Sequence, residues 1–144
     1  MVPVAGISPA RLTDTFHEKR GTRIHEATDI LAPRGTPVLA VDEGRIAKLF
    51  TSAGGGITVY VADPTNQVIY YYAHLDAYQP GLREGMTVRM GDVLGTVGTT
   101  GNAPPNTPHL HFAIGEMDAR RVWYHTKAID PGPYLLVPGA ARTR

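Results

Sequence analysis

Six histidines, His17, His25, His74, His109, His111 and His125, stand in a chain with no cysteine. Without thiolates, imidazole and carboxylate are the side chains left to hold a transition metal. His25 and Asp29 are four residues apart. On an extended strand they face the same way but sit roughly 13 Å apart, so they share one ion only if the chain bends between them. His109 and His111 are two apart in an alternating segment and project from one face of a strand. Three protein ligands and a water are the usual pattern of a catalytic zinc site. His25, Asp29 and one of the pair at 109 and 111 supply three, and spacing alone leaves open which of the pair binds. Each spacing also arises by chance, and a His-x-His strand can be a plain surface feature.

Other chemistries are poorly served. Gly54-Gly55-Gly56 lacks the following helix and lysine of a phosphate loop. No Gly-x-Ser-x-Gly element is present. A net charge of +1 gives no global field for nucleic acid, and none is expected as a partner. No stretch reaches the roughly 18 apolar residues of a membrane span, so no transmembrane segment is expected. Met1 to Ala10 has no basic region followed by an apolar run, so no signal peptide is expected in it. His17 and His125 read as surface residues, and Glu26 as a solvated charge.

The elements that must carry the histidines are short strands. The length of 144 residues suits one domain, and 16 glycines and 12 prolines imply many turns. Residues 1–24 read as an irregular N-terminal segment with a short helical turn around Asp14 to Arg20. Strands are expected at Pro37–Val41, Arg45–Phe50, Ile57–Val61 and Gln67–His74, with turns at Gly44, Gly54–Gly56 and Asp63–Asn66, as in an antiparallel meander. Residues 85–98 are punctuated like a small barrel, with Gly91-Asp92 placed as a hairpin turn would be. Thr99–Pro108 is too rich in Gly, Asn and Pro to be regular and suits a groove wall. His109–Ile114 alternates as a strand. Alternation sends at least one of Tyr70, Tyr71 and Tyr72 to the core; the others are free to line a groove. The divisions expected are 1–24, a core over 25–118, and a segment over 119–144. There Trp123, Tyr124 and Tyr134–Val137 dock on the sheet, and 139–144 frays.

Several motifs in order resemble one family. Arg23-Ile-His25-Glu-Ala-Thr-Asp29-Ile-Leu-Ala-Pro33-Arg-Gly-Thr-Pro37-Val-Leu-Ala40 resembles the first motif of the lysostaphin-type (LytM-like) zinc endopeptidases. Tyr72-Ala-His74-Leu75 resembles their middle motif. Gly91-Asp-Val-Leu-Gly95 and Val97-Gly98-Thr-Thr-Gly101 resemble the hairpin before the site, and Pro108-His109-Leu-His111-Phe112 the last motif. The resemblance implies a mostly β single domain built on an antiparallel sheet with a substrate groove. It implies zinc held by His25, Asp29 and His111. His74 and His109 stand beside the metal as catalytic residues whose roles could be exchanged. It implies hydrolysis of the peptide part of peptidoglycan in the bacterial envelope, and a chain trimmed of its export signal. Ala27 stands where members usually carry glycine. The rival reading is a non-catalytic envelope protein of the same fold that activates other wall hydrolases. A biotinyl or lipoyl carrier is disfavoured because no lysine lies in 85–101.

Overall fold

A computed structural model describes residues 1–9, 19–20, 23–24 and 27–136. His17, His25, Glu26 and residues 139–144 lie outside these. Eleven strands are described, numbered in chain order: β1 (Lys19–Arg20), β2 (Arg23–Ile24), β3 (Thr28–Leu31), β4 (Pro37–Leu39), β5 (Gly44–Ser52) and β6 (Gly56–Ala62), then β7 (Val68–Tyr78), β8 (Thr87–Val88), β9 (Val93–Val97), β10 (His109–Met117) and β11 (Thr126–Ile129). One short helix, α1 (Gly132–Leu136), follows. The main sheet runs β11-β10-β7-β6-β5-β8. β3 adds to β10, and β9 bridges β4 and β7. Every pairing is antiparallel. The fold is thus the expected mostly β, single-domain antiparallel sheet, and β5-β6-β7 is the expected meander.

Alternation explains which side of the sheet packs. In β10, Leu110, Phe112 and Ile114 are fully buried, while His109, His111 and Ala113 take the opposite face. Tyr70 and Tyr72 of β7 also point into the core, and Tyr71 is left half-buried on the outer face. Both core tyrosines carry their hydroxyls to partners, as burial of a polar tip requires. Tyr72 accepts from the Val41 amide at 3.1 Å, and Tyr70 donates to Asp42 at 3.0 Å.

Several expectations are corrected. Gly91-Asp92 does form a turn, with the Arg89 amide donating to Asp92 Oδ2 at 2.8 Å. The flanking strands do not pair with each other, however: β8 pairs with β5, and β9 with β4 and β7. Turn chemistry reverses the chain locally but does not choose its partners. Lys19–Arg20 is a strand paired with Arg23–Ile24, where the end of a helical turn was expected. β7 runs four residues past His74, because Leu75–Tyr78 finds partners in β9. The segment after residue 118 contributes a strand, β11, to the same sheet, and Leu135 reaches the core. Tyr124 is 66% exposed and sets its ring edge-on to Trp123, so it is not buried against the sheet as expected. Val2 and Val4 are core residues, and Val4 bridges Val38. Among the described residues no helix is long and apolar enough to cross a membrane.

Candidate metal and catalytic site

The outer face of the sheet gathers three of the expected residues, Asp29, His109 and His111. In the β3–β10 register Asp29 lies opposite His111, and Leu31 opposite His109. Residues two apart share a face, so Asp29, His109 and His111 all project to the same side. Asp29 Oδ1 stands 3.2 Å from His111 Nδ1 and 3.7 Å from His109 Nε2. Two ligands each about 2.05 Å from a tetrahedral zinc are about 3.3 Å apart, so the Asp29–His111 separation fits the edge of a zinc tetrahedron. Among the described residues no three such donors close around one point. His25, the remaining expected ligand, lies outside them.

His74 arrives from the other side by a backbone irregularity. β7 spends three steps, Tyr72 to Leu75, against two on β6, Val59 to Ile57, so it bulges at Ala73-His74. His74 takes φ +63°, unusual for a side-chain-bearing residue. The bulge re-aims the ring, whose centroid lies 5.0 Å from that of His109 and 5.6 Å from that of His111. The Gly54–Gly56 turn holds it there, through a bond from the His74 amide to the Gly55 carbonyl at 2.8 Å.

Two backbone carbonyls fix the ring nitrogens. His74 Nδ1 lies 2.8 Å from the Thr100 carbonyl and His109 Nδ1 lies 3.0 Å from that of Thr107. A carbonyl only accepts, so in each ring Nδ1 carries the proton and Nε2 of the neutral ring offers a lone pair. Burial is the main cause that holds His74 below the ordinary imidazole pKa. The bond to Thr100 opposes it, and the neighbouring His111 and His109 add to it. Thr100 also fastens the loop, donating from its hydroxyl to Leu75 O at 2.6 Å and accepting from the Ile57 amide at 3.1 Å. The sequence reading missed Thr100 and Thr107, since a carbonyl acceptor leaves no mark in residue type. It placed both in a groove-wall loop. His125 is remote from the cluster, exposed and paired with Asp118 at 3.2 Å, as expected of a surface residue.

The loop after β9 meets the glycine turn with almost no clearance. Gly101 takes φ +73°, and a Cβ there would strike Gly54 O and Gly56 N. Gly101→Ala is therefore expected to cost about 1–3 kcal/mol, read as a lower urea midpoint at unchanged slope. An unchanged midpoint would show that this contact does not hold the Thr100 loop.

Residues 23–131 match Peptidase family M23. The chain is 36% identical over 120 residues to the L-Ala--D-Glu endopeptidase of Bacillus subtilis, covering 80% of this chain and 35% of that protein. It is 34% identical over 129 residues to an uncharacterized metalloprotease of Buchnera aphidicola, covering 84% of this chain and 30% of the other. This chain thus spans about a third of the length of these curated relatives. Its structure resembles the catalytic domain of the antimicrobial peptidase lysostaphin from Staphylococcus simulans. The TM-score is 0.68 and the identity 29%, with 81% of this chain and 84% of that one covered. With β3, His74 and all of β10 inside the matched span, the chain belongs to peptidase family M23, a family of metallopeptidases.

Proposed function

We propose that this chain is the catalytic unit of a zinc endopeptidase that hydrolyses peptide bonds of peptidoglycan in the bacterial envelope. The observation that carries the reading is the 3.2 Å approach of Asp29 Oδ1 to His111 Nδ1, across a register pair, beside two rings whose Nδ1 atoms are held by backbone carbonyls. His25, Asp29 and His111 would hold the zinc. When bound there, it would polarise the scissile carbonyl and lower the pKa of a water.

The chain's own residues supply the proton transfer. His109 is held by Thr107 with Nε2 toward Asp29, and Nε2 is the atom that would take a proton from water and return it to the leaving amine. His74 is kept neutral by burial, with its Nδ1 proton committed to Thr100. Its Nε2 can then only accept. This favours orienting water over donating to an oxyanion, which would need the imidazolium. The retention of Asp29, His74, His109 and His111 speaks against a purely non-catalytic activator. The L-Ala--D-Glu endopeptidase named above supports the peptidoglycan assignment.

Purified peptidoglycan treated with the zinc-loaded chain should gain free amino groups and no reducing sugar ends. Among the described residues the site offers no pair of carboxylates of the kind a glycosidase needs. Reducing ends without amino groups would show that a different bond is cut.

A further inference from the structure

The outer face continues beyond the donors into an aromatic wall. Tyr71 packs its ring against His111 at a centroid distance of 5.9 Å, and Tyr60 packs against Tyr71 at 4.8 Å. Trp123 buttresses Tyr60 edge-on at 4.6 Å. Tyr60 and Tyr71 line an open groove that begins at His111. Ile69 of β7, Ala113, Ile114 and Gly115 of β10, and Thr126 and Ala128 of β11 complete its lining. Gly115 cannot be larger, because a Cβ there would strike Thr126. No aspartate, glutamate, lysine or arginine lines the groove among the described residues.

A stem peptide carries carboxylates, for which the described lining of the groove offers no cation. Peptidoglycan also contains an N-acetylated, uncharged pyranose chain, whose C–H faces pack on aromatic rings and whose acetamido and hydroxyl groups suit tyrosine and threonine. The stem is amide-linked to that chain. A bond two or three residues from the junction lies roughly 7–10 Å from the sugar at extended-chain spacing. The steps from His111 to Tyr71 and Tyr60 cover that reach.

We infer that the Tyr71–Tyr60 wall, backed by Trp123, is a saccharide subsite that seats the glycan end of the substrate while the peptide lies over the histidines. The inference rests on the peptidoglycan reading and names the part of the polymer held next to the cut bond.

Trp123 is the only tryptophan in the sequence and touches Tyr60, so its emission reports on this wall. The zinc-loaded chain is titrated with the tetrasaccharide of N-acetylglucosamine, which carries no peptide and no charge. A saturable change in emission is expected, with matching heat in calorimetry. Tyr60→Ala should weaken the affinity about tenfold or more, while Tyr60→Phe, which keeps the ring, should stay within about twofold of the parent. Circular dichroism of each variant confirms that it is folded. Absence of saturation in the folded parent, or equal affinity in a folded Tyr60→Ala variant, would overturn the inference. No bond is cut in this titration. A chain that binds the sugar but releases no amino groups sinks the peptidase reading alone. A chain that cleaves peptidoglycan yet ignores the sugar sinks the saccharide subsite alone.

Discussion

His111→Ala is expected to lose most of the zinc, and His109→Ala to keep the zinc and lose turnover by on the order of a hundredfold or more. The two residues share a strand, a face and a residue type, so a description based on burial and spacing gives them similar effects. Their distances to Asp29 differ. His111 Nδ1 sits at a tetrahedral-edge distance from Asp29 Oδ1, whereas His109 Nε2 is half an ångström further away and its other nitrogen is anchored to Thr107. On the proposed assignment, removing His111 would leave two of three ligands, and a site short of a ligand binds its metal far more weakly. On the same proposed assignment, removing His109 would leave the three ligands but take away the lone pair proposed to accept the proton of water. Zinc content and cleavage rate, measured on both variants, decide the matter. Zinc lost from His109→Ala and retained by His111→Ala would reverse the assignment. Zinc and activity retained in both would place the site elsewhere.

Phe112→Ala should cost about 3–5 kcal/mol, a large part of the roughly 5–15 kcal/mol that holds a domain of this size together. Phe112 is fully buried and packs on Tyr72 with ring centroids 5.1 Å apart. It is also the residue after His111, facing the opposite side of β10. The cavity would open directly beneath the strand that presents both site histidines, so lowered activity is expected even at temperatures where the variant stays folded. A fall in the urea midpoint at constant slope tests the first part, and activity well below the melting range tests the second. A midpoint within the scatter of surface substitutions would contradict this account of the core.

The alternating strands and most of the candidate donors were legible because both leave marks in residue type. His109-Leu-His111-Phe112 states its own two faces, and Asp29 and His74 fall within recognisable motifs. The pairing of β3 with β10, which makes neighbours of Asp29 and His111, is a long-range register that no local pattern specifies. The bulge at His74 was hidden for a different reason. It depends on an extra residue relative to β6, and nothing in Tyr72-Ala-His74 announces a positive φ. β11 escaped notice because Thr126-Lys-Ala-Ile129 carries one large apolar residue and sits at the sheet edge. Gly54-Gly-Gly56 carries no donor side chain, and its role in receiving His74 and the Gly101 loop emerges only from backbone contacts.

The central claim is that Asp29 and His111, with His25, hold one zinc on which peptide hydrolysis depends. The direct test is to strip the chain with a chelator, add zinc in steps, and count amino groups released from peptidoglycan at each step. Release should be absent in the stripped chain and rise to a plateau near one zinc per chain. Equal release with and without metal, or none at any zinc level, would contradict it.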